Sequence, residues 1–215
     1  MSPTRCPVCE QSTIRFFVDV ATRLYWRCLT CQATFLHPEQ LPAKQAELAQ
    51  YQLHRNDVDD QGYRQFLLRL ATPLLARLPP ASRGLDYGCG PGPALARIMA
   101  EAGHAMALFD PFFQPDQSVL KETYDFVTCT EVAEHFHHPA AEFARLQRLI
   151  NPRGWLAVMT TFQTDDAAFA HWHYRRDPTH VVFYRETTLR YLADLHDCRC
   201  DIPVPNVALL QKGSG

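Results

Sequence analysis

The chain has 215 residues, with 21 Lys and Arg against 23 Asp and Glu and a formal charge of −2. That balance lacks the basic excess with which proteins hold long nucleic acid by its phosphates, so bulk DNA binding is not expected, although a structured RNA stays open. With 47% hydrophobic residues and no apolar run of about 18 residues, the composition fits one buried domain with a small appendage and no membrane span. No charged n-region precedes an apolar stretch at the N-terminus, which points to the cytoplasm.

Residues 1–40 carry two cysteine pairs, Cys6-Pro-Val-Cys9 and Cys28-Leu-Thr-Cys31, with 18 residues between them. Each pair bends its chain so that two thiolates converge, and two such knuckles give tetrahedral coordination that suits zinc. Four thiolates leave no open position, so the metal would be structural. The segments between them, Ile14–Val18 and Leu24–Arg27, are β-prone. Residues 1–40 are therefore predicted to be a zinc ribbon. Its arginines (5, 15, 23 and 27) are nearly balanced by Glu10, Asp19 and Glu39, which favours bracing or protein contact over nucleic acid. The other cysteines, Cys89, Cys129, Cys198 and Cys200, are scattered and read as small apolar residues.

Residues 41–82 are rich in Ala, Gln and Leu, with apolar positions near helical spacing, and are predicted to be a helical linker closed by Pro79-Pro80. From residue 83 to 215 the pattern alternates. Strands are predicted at Gly84–Tyr87, Ala105–Phe109, Tyr124–Cys129 and Gly154–Thr160. Helices are predicted at Ala94–Ala102, Ala140–Ile150 and Glu186–Leu195. Such alternation indicates an α/β fold of parallel βαβ units. The last stretches, Cys198–Ile202 and Val207–Leu210, are spaced for an antiparallel hairpin.

Between the first of these strands and its helix lies Asp86-Tyr87-Gly88-Cys89-Gly90-Pro91-Gly92. Glycines let the backbone turn sharply and approach a ligand closely. Asp110 follows 24 positions after Asp86, at the end of the next strand, where an acid can hold both hydroxyls of a ribose. A nicotinamide dehydrogenase would show GxGxxG. Here Pro91-Gly92 departs from it, and the stretch resembles motif I of class I S-adenosylmethionine-dependent methyltransferases of the type 11/23 group. Tyr124 to Phe136 is similar to that family's fourth strand and following loop, and Leu149 to Leu156 to the turn into its fifth strand.

The resemblance covers about residues 83–212. It implies a Rossmann-like seven-stranded sheet with an antiparallel last strand. It also implies that Asp86, Gly88, Gly90 and Asp110 contact S-adenosylmethionine. The segment before motif I often closes as a lid in this family. Tyr51, His54, Asn56, Asp59, Tyr63 and Arg64 would then line the site; the alternative is a solvated amphipathic helix. One departure concerns adenine. Asp125 comes only 15 positions after Asp110, where the family fits a helix, a third strand and an adenine-reading acid. Phe112 or Phe113 would stack on adenine instead, or simply pack in the core.

Glu131, Glu134 and His135 fall at i, i+3 and i+4, which in a helical turn share one face. With His180 from Arg175 to Tyr184 they resemble two metal-dependent groups, the small-RNA 2′-O-methyltransferases and the ubiquinone-pathway O-methyltransferases. That resemblance implies a second site, for Mg, Mn, Fe(II) or Zn, formed by Glu131, Glu134, His135 and His180. The alternative is a metal-free site with the glutamate on substrate and a histidine as base. The candidate catalytic residues are His135, His180 and Glu131. The expected function is O-methylation of a small molecule or an RNA, with N-methylation second. A competing reading is a non-catalytic RNA- or protein-binding module with a vestigial cofactor pocket.

Overall fold

The computed structural model describes residues 2–53 and 57–214; His54 and Asn56 of the linker lie outside them. The N-terminal region forms β1 (Ile14–Val20), β2 (Arg23–Cys28) and β3 (Thr34–Leu36). Two helices follow, α1 (Lys44–Tyr51) and α2 (Gln61–Leu75). The α/β region then runs through β4 (Arg83–Tyr87), α3 (Ala94–Glu101), β5 (Ala105–Phe109), β6 (Tyr124–Thr130), α4 (Pro139–Arg148) and β7 (Ile150–Met159). It ends with β8 (Val182–Phe183), α5 (Glu186–Leu195), β9 (Cys198–Val204) and β10 (Val207–Lys212).

The main sheet has the order β5-β4-β6-β7-β10-β9. Its β5, β4, β6 and β7 are parallel, and β10 runs antiparallel to both β7 and β9. The α/β class and the antiparallel ending follow expectation. The seven-strand count does not, since six strands form this sheet among the described residues. Between β5 and β6 the chain makes only a tight turn, closed by paired bonds between Asp110 and Gln114, and one 3-10 turn at Gln117–Lys121. A crossover to a further parallel strand needs a dozen or more residues, and the short connection cannot supply both it and the strand.

Side chains alternate across the sheet with period two, so both faces are apolar and both are covered. Leu156 and Val158 of β7, with Ala208 and Leu210 of β10, join α4, α5 and the cysteine-bearing region in one core. Ala157, Met159, Val207 and Leu209 point to the other face, into a core with α2 and α3. On α2, Leu67, Leu70, Ala71 and Leu74 recur at helical spacing and are buried. Its start is fixed by Asp60, whose carboxylate accepts the Tyr63 N–H at 2.7 Å.

A second sheet, order β1-β2-β3-β8, is antiparallel throughout. It contains a residue pair from the far end of the chain, since β3 pairs with β8 through Thr34–Phe183 and Phe35–Val182. Arg27 is 2% exposed and is matched internally, with Nη2 2.6 Å from Asp166 and Nε 2.8 Å from the Thr34 hydroxyl. Among the described residues no helix is long and apolar enough to cross a membrane.

Candidate active site

The turn after β4 is made by glycines at positive φ, +78° at Gly88 and +64° at Gly90. At Gly88 both backbone and space demand glycine: a Cβ would lie 2.4 Å from Val132 Cγ2. The loop is tied to the next strand end. Gly88 N–H donates to Phe109 O at 2.7 Å, and Gly90 N–H to Asp110 Oδ2 at 3.0 Å. The other Asp110 oxygen accepts the N–H groups of Phe112 and Phe113 at 2.8 and 3.0 Å. Asp110 therefore joins the glycine loop to the Phe112-Phe113 turn, and of its roughly four acceptor positions about one is left for a ligand.

Gly88, Gly90, Asp110 and Phe112 line a cavity of about 860 Å³. Asp86 does not. It lies 3% exposed beneath the loop, and its carboxylate accepts the Thr128 hydroxyl at 2.8 Å. Burial pushes its pKa up to about 6. Asp86, at which a cofactor contact is expected, here turns its side chain toward Thr128 of the neighbouring strand β6.

The same cavity receives Glu131, Glu134, His135 and His180. They do not share a helical turn. Glu131 has φ +51°, and the 3-10 turn begins only at Ala133. Ligand atoms of Glu134, His135 and His180 lie within 4.8 Å of one another, and Glu131 is outside that group. Burial, and then the Glu134 charge, push the Glu131 carboxyl well above the usual carboxylate range.

Both imidazoles are oriented by the backbone. His135 Nδ1 donates to Thr179 O at 3.1 Å, and His180 Nδ1 to Tyr174 O at 2.7 Å. A carbonyl only accepts, so Nδ1 carries the proton and Nε2 of the neutral ring keeps its lone pair. Burial lowers the His180 pKa, which favours that neutral form. Glu134 is 0% exposed. One of its oxygens accepts the Tyr174 hydroxyl at 2.5 Å, while Oε2 has no hydrogen-bond partner. An unmatched buried carboxylate oxygen beside two imidazole lone pairs is a donor set for a divalent cation.

Helix α1 crosses this opening. Its Tyr51 ring meets Phe112 and His135 edge-on, at 5.3 and 5.2 Å, and Lys44 lies 5.4 Å from the Phe112 ring centre. Glu47 approaches His137 Nε2 at 2.9 Å. Glu47, His137 and Tyr174 had carried no site role in the sequence. Tyr174 lies among aromatic and basic residues, His171 to Arg176, a composition that by itself assigns it no role.

The thiols of Cys6, Cys9, Cys28 and Cys31 also converge within 4.8 Å, all buried. Sγ–Sγ distances are 3.7 Å for Cys6–Cys31 and 3.6 Å for Cys9–Cys28. A tetrahedron of zinc–sulfur bonds about 2.3 Å long puts neighbouring sulfurs about 3.8 Å apart, so the set fits zinc. Backbone N–H groups of Val8 and Cys31 point at Cys6 and Cys28 sulfurs, each at 3.4 Å.

A family model described as a methyltransferase domain matches residues 53–201. The chain belongs to this methyltransferase family. No curated protein matches its sequence. Among solved structures, a 1,6-didemethyltoxoflavin-N1-methyltransferase of Burkholderia thailandensis is similar at 18% identity, over 90% of this chain and 96% of its own, with a TM-score of 0.51; it holds 1,6-didemethyltoxoflavin and S-adenosylhomocysteine. Magnesium protoporphyrin IX methyltransferase of Synechocystis PCC 6803, with S-adenosylhomocysteine bound, matches at 18% identity over 71% of this chain and 84% of its own, TM-score 0.50. An O-methyltransferase family protein of Burkholderia thailandensis matches at 17% identity over 73% of this chain, TM-score 0.50, and the match spans only 61% of that protein. At these identities the likeness is one of fold, a Rossmann-like methyltransferase sheet.

Proposed function

We propose that this chain is an S-adenosylmethionine-dependent methyltransferase that methylates an oxygen of a small molecule or RNA. The observation that carries the reading is that one cavity joins the Gly88–Gly90–Asp110 loop to the Glu134–His135–His180 cluster. Asp110 would accept a ribose hydroxyl, Gly88 and Gly90 would let the methionine portion lie against the backbone, and Phe112 would face adenine. Bound there, S-adenosylmethionine presents a sulfonium methyl for in-line displacement. The acceptor oxygen forms the new C–O bond as the S–CH₃ bond breaks and S-adenosylhomocysteine leaves; with the Nε2 lone pairs of His135 and His180 free, one of them takes the proton, and with both on a cation the acidified hydroxyl loses it to solvent.

Glu134, His135 and His180 fit a divalent cation, which would lower the acceptor hydroxyl pKa and orient the oxygen. Glu131, outside that set but lining the same cavity, would hydrogen-bond the acceptor. The bound ligands of the two Burkholderia and Synechocystis methyltransferases support the choice of cofactor. In the same reading residues 1–40 are a structural zinc ribbon, 41–82 a helical lid and 83–215 the cofactor-binding domain. The ribbon assignment is supported by the sulfur spacing of the four buried cysteines.

The test has two arms. Calorimetry should show micromolar S-adenosylhomocysteine binding, and manganese should bind wild type more tightly than Glu134→Gln or His180→Ala. Comparing methylated metabolites and nucleosides between a deletion strain and its parent should then reveal a missing product, not restored by Glu134→Gln. A folded, zinc-loaded protein that binds no S-adenosylhomocysteine with or without manganese overturns the reading in favour of a non-catalytic binding module.

A further inference from the structure

Strand β3 lies between the four cysteines and the Glu134–His135–His180 cluster. It leaves the second knuckle directly, with Cys28 N–H donating to Ala33 O at 2.9 Å. At its far end Leu36 N–H donates to Val181 O at 2.8 Å, and Val181 N–H donates to Glu134 O at 2.8 Å. A single residue next to His180 is thus held on one side by the ribbon and on the other by Glu134.

Two more ties reach the same place. Arg23 Nη2 donates to Pro178 O at 3.0 Å, one residue before Thr179, whose carbonyl orients His135. Ala140 N–H, at the start of α4, donates to Pro7 O inside the first knuckle at 3.0 Å. Packing follows the same route. Cys6, Cys28, Cys31 and Phe35 share a core with Ala133 and Tyr184, and the Tyr184 hydroxyl donates to Ala133 O at 2.9 Å. A ribbon serving as a tethered nucleic-acid arm would keep its cations outward, whereas Arg27 is buried and used on Asp166.

We propose that the ribbon is a positioning element of the reaction centre: a metal on the four thiolates sets the spacing of Glu134, His135 and His180 through β3 and Val181. This rests on the reading of that cluster as the centre that meets the acceptor. Four thiolates on one tetrahedral ion cross-link the two knuckles rigidly, and the hydrogen bonds that leave them carry that rigidity to Val181. None of the hydrogen bonds through β3, Val181 and Arg23 reaches the glycine loop at the β4–β5 side of the sheet, so cofactor affinity should respond far less to the ribbon than the cluster does.

The experiment uses the full chain in three forms: zinc-loaded, emptied by a mercurial reagent with chelator, and refilled with zinc. Amide exchange at Val181 is compared with Val127 in β6, ring-nitrogen NMR follows His135 and His180, and manganese and S-adenosylhomocysteine are titrated separately. Emptying should speed Val181 exchange at least about tenfold relative to Val127. It should also weaken manganese binding about 10- to 100-fold, the usual effect of losing supports behind a metal ligand. S-adenosylhomocysteine affinity should hold, and zinc should reverse both changes. Arg23→Ala, which keeps all four cysteines, should shift the His135 ring signal and weaken manganese binding in the same direction without loss of zinc.

Unchanged histidine signals and manganese affinity in the emptied, folded chain would overturn the proposal. If emptying unfolds the chain, Arg23→Ala decides, and a variant identical to wild type overturns it. Failure of the functional reading looks different. Zinc-loaded wild type would then bind neither manganese nor S-adenosylhomocysteine, while exchange and ring spectra would still report the coupling.

Discussion

Asp110→Asn gives the sharpest test of the cofactor site. The carboxylate accepts three backbone N–H groups, from Gly90, Phe112 and Phe113. That leaves about one acceptor position for a ribose hydroxyl. A hydrogen bond to a charged acceptor contributes about 1.5–3 kcal/mol, which corresponds to about 10- to 150-fold in affinity. Asparagine keeps one oxygen, which the Phe112 and Phe113 N–H groups would hold. Its amide NH₂ would then face the Gly90 N–H, and two donors repel, so the loop should shift and the loss should fall at the upper end. The assay is calorimetric titration with S-adenosylhomocysteine, with circular dichroism confirming the fold at the same temperature. A dissociation constant within about threefold of wild type would show that Asp110 organises the loop without touching the ligand.

Other outcomes follow from the same geometry. Gly88→Ala combines a left-handed backbone penalty of about 1–2 kcal/mol with a Cβ overlap against Val132 costing about 1–3 kcal/mol; urea melts should show the sum, and adding Val132→Ala should recover only the overlap part. For Asp86 the folded pKa of about 6 lies above the ordinary 3.8. The native state therefore binds its proton more tightly than the unfolded chain, so its contribution is full below about pH 4 and is lost as pH rises through about 6, roughly 3 kcal/mol in all. Asp86→Asn should flatten that part of a stability–pH curve measured by denaturant; an unchanged fall would assign it to another group. Tyr174→Phe removes the hydroxyl bonded to buried Glu134. It should cost about 1.5–3 kcal/mol of stability and weaken manganese binding, and a melt matching wild type would show that the bond contributes nothing.

Much of the sheet could be read from the chain because β4 to β7 carry apolar runs bounded by glycine, proline and charge, and their helices repeat at helical spacing. The glycine loop was legible for the same reason that it works: positive φ at Gly88 and Gly90 requires that residue type. Strands β3 and β8, of three and two residues, were not visible. They are too short to show a period; β3 is held between β2 and β8, and β8 pairs with β3 across the chain. The helical turn expected through Glu131 failed because a spacing of i, i+3, i+4 does not reveal one left-handed residue at its start. Tyr174 and Glu47 escaped because their roles come from convergence in space.

The short connection after β5 bears on the competing view that the cofactor pocket is vestigial. Removing a helix and a strand takes away one wall of the usual adenine site. What replaces it here is built from the remaining chain. The Asp110–Gln114 turn holds Phe112 and Phe113 at the strand end, and Tyr51 and Lys44 of α1 pack on the Phe112 ring from above. A decaying pocket would be expected to keep polar atoms with nothing to do and to lose its spacing. Instead every Asp110 oxygen is engaged, and Gly88 keeps the one backbone conformation that clears Val132. Of the cavity-lining side chains, Glu134 Oε2 and Thr130 Oγ1 have no hydrogen-bond partner, and Glu134 clusters with the two imidazoles. A buried carboxylate oxygen left unmatched in a cluster with two imidazoles is an unmet demand that a cation would answer.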